Sequence, residues 1–223
     1  MTTTQQHQDE AAPAGATPEQ LGIGMRFSLH PHCDDFVEAI LGALQEVRDA
    51  GLTEGLVTET DVVSTYVGAS TAPAEQRLGR YLTAVLAASA QRTPTGHVVA
   101  HVLLSRGCPG EIACDPAVVG LPTPAPVEVP AAGVRAVAQW SLYPLLDAGS
   151  PAGGGSHMQL IVDAVERAEA RGVASRPAHY ATRLDGDLAD VVSTAVDAWA
   201  AVGREVPHVV THLTISVGSP ALR

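Results

Sequence analysis

The sequence predicts an α+β fold in which one small unit of structure is used twice. FSLHP at 27–31 returns as WSLYP at 140–144, and HVVAHVLLS at 97–105 returns as HVVTHLTIS at 208–216. The two motifs begin about 70 residues apart in each copy, which is the self-similarity that a duplicated structural unit produces. Any binding site should therefore occur twice, in related but unequal versions.

The first copy contains six predicted elements. Apolar and polar residues alternate at 25–30, which predicts a strand, and Pro31 ends it. A helix capped by Asp34 or Asp35 follows and stops at Gly51. Its predicted apolar stripe consists of Phe36, Ile40, Leu41, Leu44 and Val47. The remaining elements are predicted as strands at 56–58 and 62–67, a helix at 75–90 and a strand at 97–105.

The second copy repeats this order of elements. Its predicted strands lie near 138–143, 175–179, 180–184 and 208–217, and its helices lie near 157–171 and 187–203. The order β-α-β-β-α-β with right-handed crossovers is the ferredoxin-like plan, an antiparallel four-stranded sheet with both helices on one face. The predicted domains are a disordered N-terminal tail at 1–21, repeat 1 at 22–110, a proline-rich linker at 111–134 and repeat 2 at 135–221.

Composition excludes several classes of function. The formal net charge is −11, and all 13 basic residues are arginines, so no Schiff-base lysine or phosphate-binding P-loop lysine is available. The acidic balance disfavours nucleic acid and anionic membranes and mildly favours a cationic ligand. We expect a cytoplasmic protein without membrane insertion, because no apolar run of about 18 residues and no signal-peptide pattern is present.

The cysteines do not indicate a metal site. Cys33, Cys108 and Cys114 form no CxxC pair and lack a matching set of histidines, so reduced thiols are expected. Cys108 is the one candidate nucleophile, since Arg106 could lower its pKa. Ser219 occupies the matching position in the second copy, where the same Gly-x-Pro spacing favours a turn over catalysis.

In the last strand of each copy, alternate residues form two rows that point to opposite faces of the sheet. One row is all-apolar and is expected to face the helices, and the other, the mixed row, combines polar and apolar residues. The mixed rows are His97, Val99, His101, Leu103 and Ser105 in the first copy, and His208, Val210, His212, Thr214 and Ser216 in the second. The first strands add Ser28 and His30, or Ser141 and Tyr143, and the third strands add Thr65 or Thr182.

Hydroxyls and imidazoles on an apolar background suit recognition of a small heteroaromatic ring. Burial of this face against the other copy or a second subunit is the alternative. Metal binding by His97 and His101 is disfavoured, because strand positions i and i+4 lie about 13 Å apart and a zinc–nitrogen bond is about 2.1 Å.

Seven motifs together resemble the YkoF family of thiamin/hydroxymethylpyrimidine-binding proteins. They are Ser28-Leu29-x-Pro31, Asp61-x-x-Ser64-Thr65, Ser105-x-Gly107-Cys108-Pro109-Gly110, Ser141-Leu142-Tyr143-Pro144, His179-Tyr180-Ala181, Leu184-Asp185-Gly186-Asp187 and Ser216-x-x-Ser219-Pro220. The resemblance implies tandem ferredoxin-like repeats, a homodimer, one pocket per repeat and no catalysis. It also implies a role in thiamin-precursor uptake or salvage and an association with a thiamin-precursor transport system.

The sequence therefore favours a non-catalytic binding protein that has no cofactor and takes thiamin or hydroxymethylpyrimidine as ligand. The predicted ligand-binding residues are Ser28, His30, Thr65, His101, Ser105, Ser141, Tyr143, Thr182, Asp185, His212 and Ser216. The thiazolium cation of thiamin would lie against Tyr143 or near Asp185. One alternative is a hydrolase or other enzyme that acts on a similar heterocycle through Cys108. The other is a structural module whose sheet faces are buried by dimerisation.

Overall fold

The computed structural model describes residues 17–107, 124–145 and 157–222. The strands are β1 (Gly24–Pro31), β2 (Leu56–Thr60), β3 (Thr65–Ala69), β4 (Val98–Arg106), β5 (Arg135–Leu145), β6 (Ala174–Ala178), β7 (Ala181–Asp187) and β8 (His208–Val217). The helices are α1 (Phe36–Asp49), α2 (Ala74–Gln91), α3 (His157–Ala170) and α4 (Leu188–Val202), and a short 3₁₀ turn follows at Pro220–Leu222.

All eight strands form one sheet in the order β2-β3-β1-β4-β8-β5-β7-β6, and every neighbouring pair is antiparallel. Each half of this order has its fourth, first, third and second strands as neighbours, which is the ferredoxin-like arrangement. The structure thus confirms the predicted α+β class with antiparallel sheets.

The two halves meet where β4 pairs with β8, a junction that we call the seam. All nine residues of β4 are paired, from Val98 opposite Val217 to Arg106 opposite Val209. The sequence predicted two separate sheets and did not predict this joint. Pairing the two strands satisfies backbone groups that would otherwise form an exposed sheet edge on each repeat.

The helices cover one face of the sheet, as predicted. The apolar rows of β4 and β8 are buried beneath them, and the two tryptophans of the second repeat are anchored there. Trp140 Nε1–H donates to Thr211 Oγ1 at 2.7 Å, and Trp199 Nε1–H donates to the carbonyl of Val209 at 3.0 Å. Both indole groups are therefore buried with their hydrogen bonds made. Among the described residues, no helix is long and apolar enough to cross a membrane.

The predicted apolar stripe of α1 is confirmed in part. Val47 is buried and Ile40 and Leu44 pack against the core, whereas Phe36 is 51% exposed and Leu41 is 60% exposed. The other buried residues of α1 are Ala39 and Ala43. Small side chains let the helix lie close to its neighbours, so the larger apolar residues are left at the rim. The same happens on α3, where Ala164 and Ala168 are buried and Met158 and Val162 are exposed.

The predicted N-terminal tail ends earlier than expected. Residues 18–22 form a turn and Leu21 is buried, so the folded chain begins by Thr17 rather than at residue 22. The part of the predicted linker that the structure describes, from residue 124 onward, packs on the helix layer, since Val127 is fully buried and Glu128 N–H donates to Gln76 Oε1 at 2.7 Å. Residues 1–16, the Gly-rich segment within 146–156, Cys108 and Cys114 lie outside the described residues.

A buried ion pair lies beneath the seam and connects the two repeats. Arg106 of β4 is fully buried, and its Nε–H donates to Glu75 Oε1 of α2 at 2.9 Å. Its Nη1–H donates to the carbonyl of Ala200 in α4 at 3.4 Å. Burial lowers the pKa of Arg106, and the Glu75 carboxylate opposes that shift. One guanidinium therefore contacts both halves of the molecule.

We predict that Glu75→Gln destabilises the protein by about 3–5 kcal/mol, because it leaves a buried guanidinium without its counter-ion. Urea-induced unfolding measures the change. Glu46→Gln is the control, since its pair with Arg92 is partly exposed and should be worth less than about 1 kcal/mol. Equal losses in the two variants would contradict this account of the seam.

Candidate functional site

The face of the sheet opposite the helices, here called the open face, carries the predicted mixed rows. Its histidines and hydroxyls are largely bonded to one another. The hydrogen-bonded pairs are Ser28 Oγ with His30 Nε2 at 3.1 Å, His97 Nε2 with Ser216 Oγ at 3.1 Å, His101 Nδ1 with Thr214 Oγ1 at 3.1 Å and Ser105 Oγ with His208 Nε2 at 3.3 Å. Three of these pairs cross the seam, where they support the joint between the repeats. His212, also exposed on this face, lies opposite Leu103 and Ser141.

Four histidines form a cluster on the open face of the first repeat. His30 and His101 meet edge to face with ring centroids 5.4 Å apart, and His32 stacks on His97 at 4.1 Å. Partial burial, followed by the charges of His101 and His32, lowers the pKa of His30. Burial and then His32 lower the pKa of His97. Within residues 17–107, 124–145 and 157–222, no group of three or more His, Cys, Asp or Glu is placed to hold a metal.

Asp185 is not available as a free anion for a cationic ligand. Its Oδ1 accepts a hydrogen bond from Arg135 at 2.9 Å, and its Oδ2 accepts one from Arg183 at 3.0 Å. These hydrogen bonds, with that of Arg135 the stronger influence, lower the pKa of Asp185. The carboxylate is thus already paired with two guanidinium groups.

Thr65 and Thr182 do not lie on the open face as predicted. Thr65 pairs with Phe27 and Thr182 pairs with Trp140, so both hydroxyls are on the helix side of the sheet. The turns before β3 and β7 set this register, and the alternation within such short strands does not reveal it. The correction moves both threonines from the centre of the open face to the ends of their strands.

In both repeats the first strand runs past the end of the third. Pairing of β1 with β3 ends at Phe27 opposite Thr65, and pairing of β5 with β7 ends at Trp140 opposite Thr182. Among the described residues, 28–31 pair only with β4 and 141–145 pair only with β8, so one side of each segment has no partner strand. These segments contain the duplicated Ser-Leu-x-Pro motif, and each presents a free strand edge with backbone donors and acceptors.

In the second repeat this free edge borders a cavity of about 520 Å³, which we call the edge cavity. Its walls come from residues 140–145 of β5, the first half of α3, and residues 180–182 at the start of β7. Apolar side chains of α3, among them Met158, Ile161 and Val165, form one side. Ser141, Tyr143 and Thr182 are the hydroxyl-bearing residues of its lining. A cavity of this size and composition is typical of sites for small organic molecules.

A strained turn lies at the mouth of the edge cavity. Tyr180 has φ of 65°, the single positive value of a non-glycine residue in the described chain, and its side chain is fully exposed. Its carbonyl accepts a hydrogen bond from Ser141 Oγ at 3.3 Å, which ties the turn to the free edge of β5. Left-handed backbone at a bulky residue costs about 1–3 kcal/mol and tends to occur where function requires the geometry.

The first repeat presents the corresponding positions. Ser28 and His30 lie on the free edge of β1, and Thr65 Oγ1 is bonded to Thr60 Oγ1 at 3.0 Å. Its hairpin turn is held by Asp61, whose Oδ1 accepts the backbone N–H groups of Val63 at 2.7 Å and Ser64 at 2.9 Å. Val63, the counterpart of Tyr180, is also exposed.

The sequence predicted three residues of the edge cavity and missed others. Ser141, Tyr143 and Thr182 come together there, whereas Asp185, His212 and Ser216 do not line it. Tyr180, Met158 and Ile161 were not predicted as site residues. An apolar residue in an amphipathic helix is usually core, and this left no signal in the sequence to separate Met158 from its neighbours. The Cys108 nucleophile considered above lies outside the described residues.

This chain is similar to known proteins over most of its length. A family model described as the YKOF-related family matches residues 135–222, which is the second repeat. The Bacillus subtilis (strain 168) protein named "Putative HMP/thiamine-binding protein YkoF" is 32% identical over 211 residues, covering 89% of this chain and 91% of the relative. That similarity extends through both repeats.

We predict that the protein loses stability as the pH falls through about 6.5, the ordinary pKa of His30 and His97. Their folded-state pKa values are lowered, so the unfolded chain takes up protons first and is favoured by acid. The hydroxyl groups of the neighbouring Ser28, Thr214 and Ser216 are neutral, so they do not compensate the positive charge of a protonated imidazole in the folded protein. Urea midpoints at pH 7.5 and 5.5 measure the effect. Replacing both histidines by glutamine should reduce the difference between the two midpoints. A difference unchanged in the double variant would contradict the assignment to His30 and His97.

Proposed function

Because the chain belongs to the YkoF-related family, we propose that it binds thiamin or its hydroxymethylpyrimidine precursor, in one pocket per repeat and without catalysis. The observation that carries the proposal is the duplicated free strand edge. The motif that the two repeats share most closely coincides with the segments of β1 and β5 that have no partner strand on one side within the described ranges. In the second repeat that edge lines a cavity large enough for a pyrimidine and a second ring.

The chemistry of the edge cavity suits an aminopyrimidine. The ring needs an acceptor for its amino group and donors for its ring nitrogens, which a strand edge supplies in one plane through C=O and N–H groups. Ser141 and Thr182 add hydroxyls on either side. Met158 and Ile161 offer apolar surface to one ring face.

The two pockets should differ in their preference for a positive charge. Tyr143 borders the second pocket, and His30 occupies the same motif position in the first. A thiazolium cation against the Tyr143 ring would gain about 0.5–2 kcal/mol. A histidine surrounded by other histidines offers a cation no such advantage. We therefore propose thiamin for the second pocket and a neutral pyrimidine for the first.

The wider role follows from the same family membership. We propose a homodimer that serves uptake or salvage of a thiamin precursor, in association with a transport system. Exposed apolar side chains on the open face, including Leu103 and Leu145, favour a protein partner there. The competing structural-module hypothesis expects no stabilisation by any small ligand, whereas a ligand at 100 times its dissociation constant should stabilise the fold by about 2.7 kcal/mol.

We predict that Thr182→Val weakens binding of thiamin in the second pocket by about threefold to tenfold, because it removes one hydroxyl hydrogen bond while keeping side-chain volume. Isothermal titration calorimetry with thiamin and with hydroxymethylpyrimidine measures the two affinities. The same substitution at Thr58, on the exposed edge strand β2, is the matched control and should change neither. Unchanged affinity in Thr182→Val would contradict the assignment of this pocket, and no heat from either ligand with the unmodified protein would contradict the proposed function.

A further inference from the structure

A second cavity, of about 440 Å³, lies on the outer side of the helix layer, between α3, α4 and residues 124–126. We call it the arginine cavity, because Arg167, Arg171 and Arg204 all line it. Only 13 basic residues occur in this chain of net charge −11, so three in one small cavity form a marked local concentration of positive charge. It shares no lining residue with the edge cavity.

Two of these three guanidinium groups form no ion pair with any carboxylate that the structure describes. Asp197, the acidic residue of the cavity, is paired with Arg171 through Oδ2 and accepts the backbone N–H of Val127 at 2.6 Å through Oδ1. Arg171 also donates to Ser193 Oγ at 3.3 Å. Within the part of the chain that the structure describes, neither Arg167 nor Arg204 forms an ion pair, and both are exposed.

Small apolar side chains form most of the remaining lining of the cavity. Alanines and prolines predominate, among them Ala168, Ala198 and Pro126. The guanidinium groups therefore lie beside an apolar surface that a small organic group can cover.

We propose that the arginine cavity binds the phosphate monoester of a small organic molecule. Three guanidinium groups and one carboxylate leave a local charge of about two positive units, which matches the roughly −1.5 to −2 of a phosphate monoester at neutral pH. Arg167 and Arg204 supply the forked N–H donors to which phosphate oxygens bind. The alanine and proline surface receives the apolar body of the ligand.

The test is calorimetric titration of the full chain with phenyl phosphate, inorganic phosphate and benzoate at fixed ionic strength. We expect phenyl phosphate to bind more tightly than inorganic phosphate, and benzoate to bind at least tenfold more weakly. Arg167→Gln and Arg204→Gln should each weaken binding of phenyl phosphate about tenfold. Arg176→Gln, an exposed arginine of β6, is the matched control and should change nothing.

Binding of thiamin should be the same in all of these variants, so this proposal and the proposed function can fail separately. Arg167 and Arg204 are exposed, so replacing them should leave the urea midpoint unchanged, and this measurement separates loss of binding from misfolding. Absence of phenyl phosphate binding, benzoate binding as tight as phenyl phosphate, or full affinity in the Arg167→Gln/Arg204→Gln double variant would each overturn the proposal.

Discussion

The structure depends on the backbone pairing of β4 with β8. This seam turns two small units into one eight-stranded sheet and removes an exposed edge from each. Within each repeat the last strand holds the first, since β1 pairs with β4 over Gly24–Pro31 and β5 pairs with β8 from Ala136 to Leu145. Because this side of each first strand is paired, its other side can stop pairing with the third strand at Phe27 or Trp140 and the strand still stays in place. This leaves the free edges at residues 28–31 and 141–145.

The sequence predicted the order of elements and the two rows of the last strands, since both depend on short-range patterns. Duplication was visible because the shared motifs are long and in the same order. The seam was not visible, because pairing between two strands far apart in the chain depends on tertiary packing. The stripe of α1 was predicted from its largest apolar residues, whereas close packing buried its alanines Ala39 and Ala43. Packing distance, and not hydrophobicity alone, decided which side of the helix faces inward.

The candidate site was only partly predictable for a related reason. A polar sheet face with histidines and hydroxyls suggested ligand binding, yet those groups satisfy one another across the seam, as in His101 with Thr214. The better signal was the conservation of Ser-Leu-x-Pro between the two halves of this one chain. The serine of this motif does not contribute to the core on the helix side. In the structure the motif lies on a strand edge that has no partner strand among the described residues. Tyr180, strained and exposed beside that edge, could be recognised only from its backbone angle.

We propose that ligand binds along the free edges of β1 and β5 and not on the open face. The decisive measurement is titration of hydroxymethylpyrimidine and thiamin into ¹⁵N-labelled protein, followed by backbone amide chemical shifts. We expect the largest shift changes at residues 141–145 and 180–182 and at residues 28–31, with small changes at Thr214 and Ser216. Largest changes at Thr214, Ser216 and their neighbours on the open face, with residues 141–145 unaffected, would contradict it.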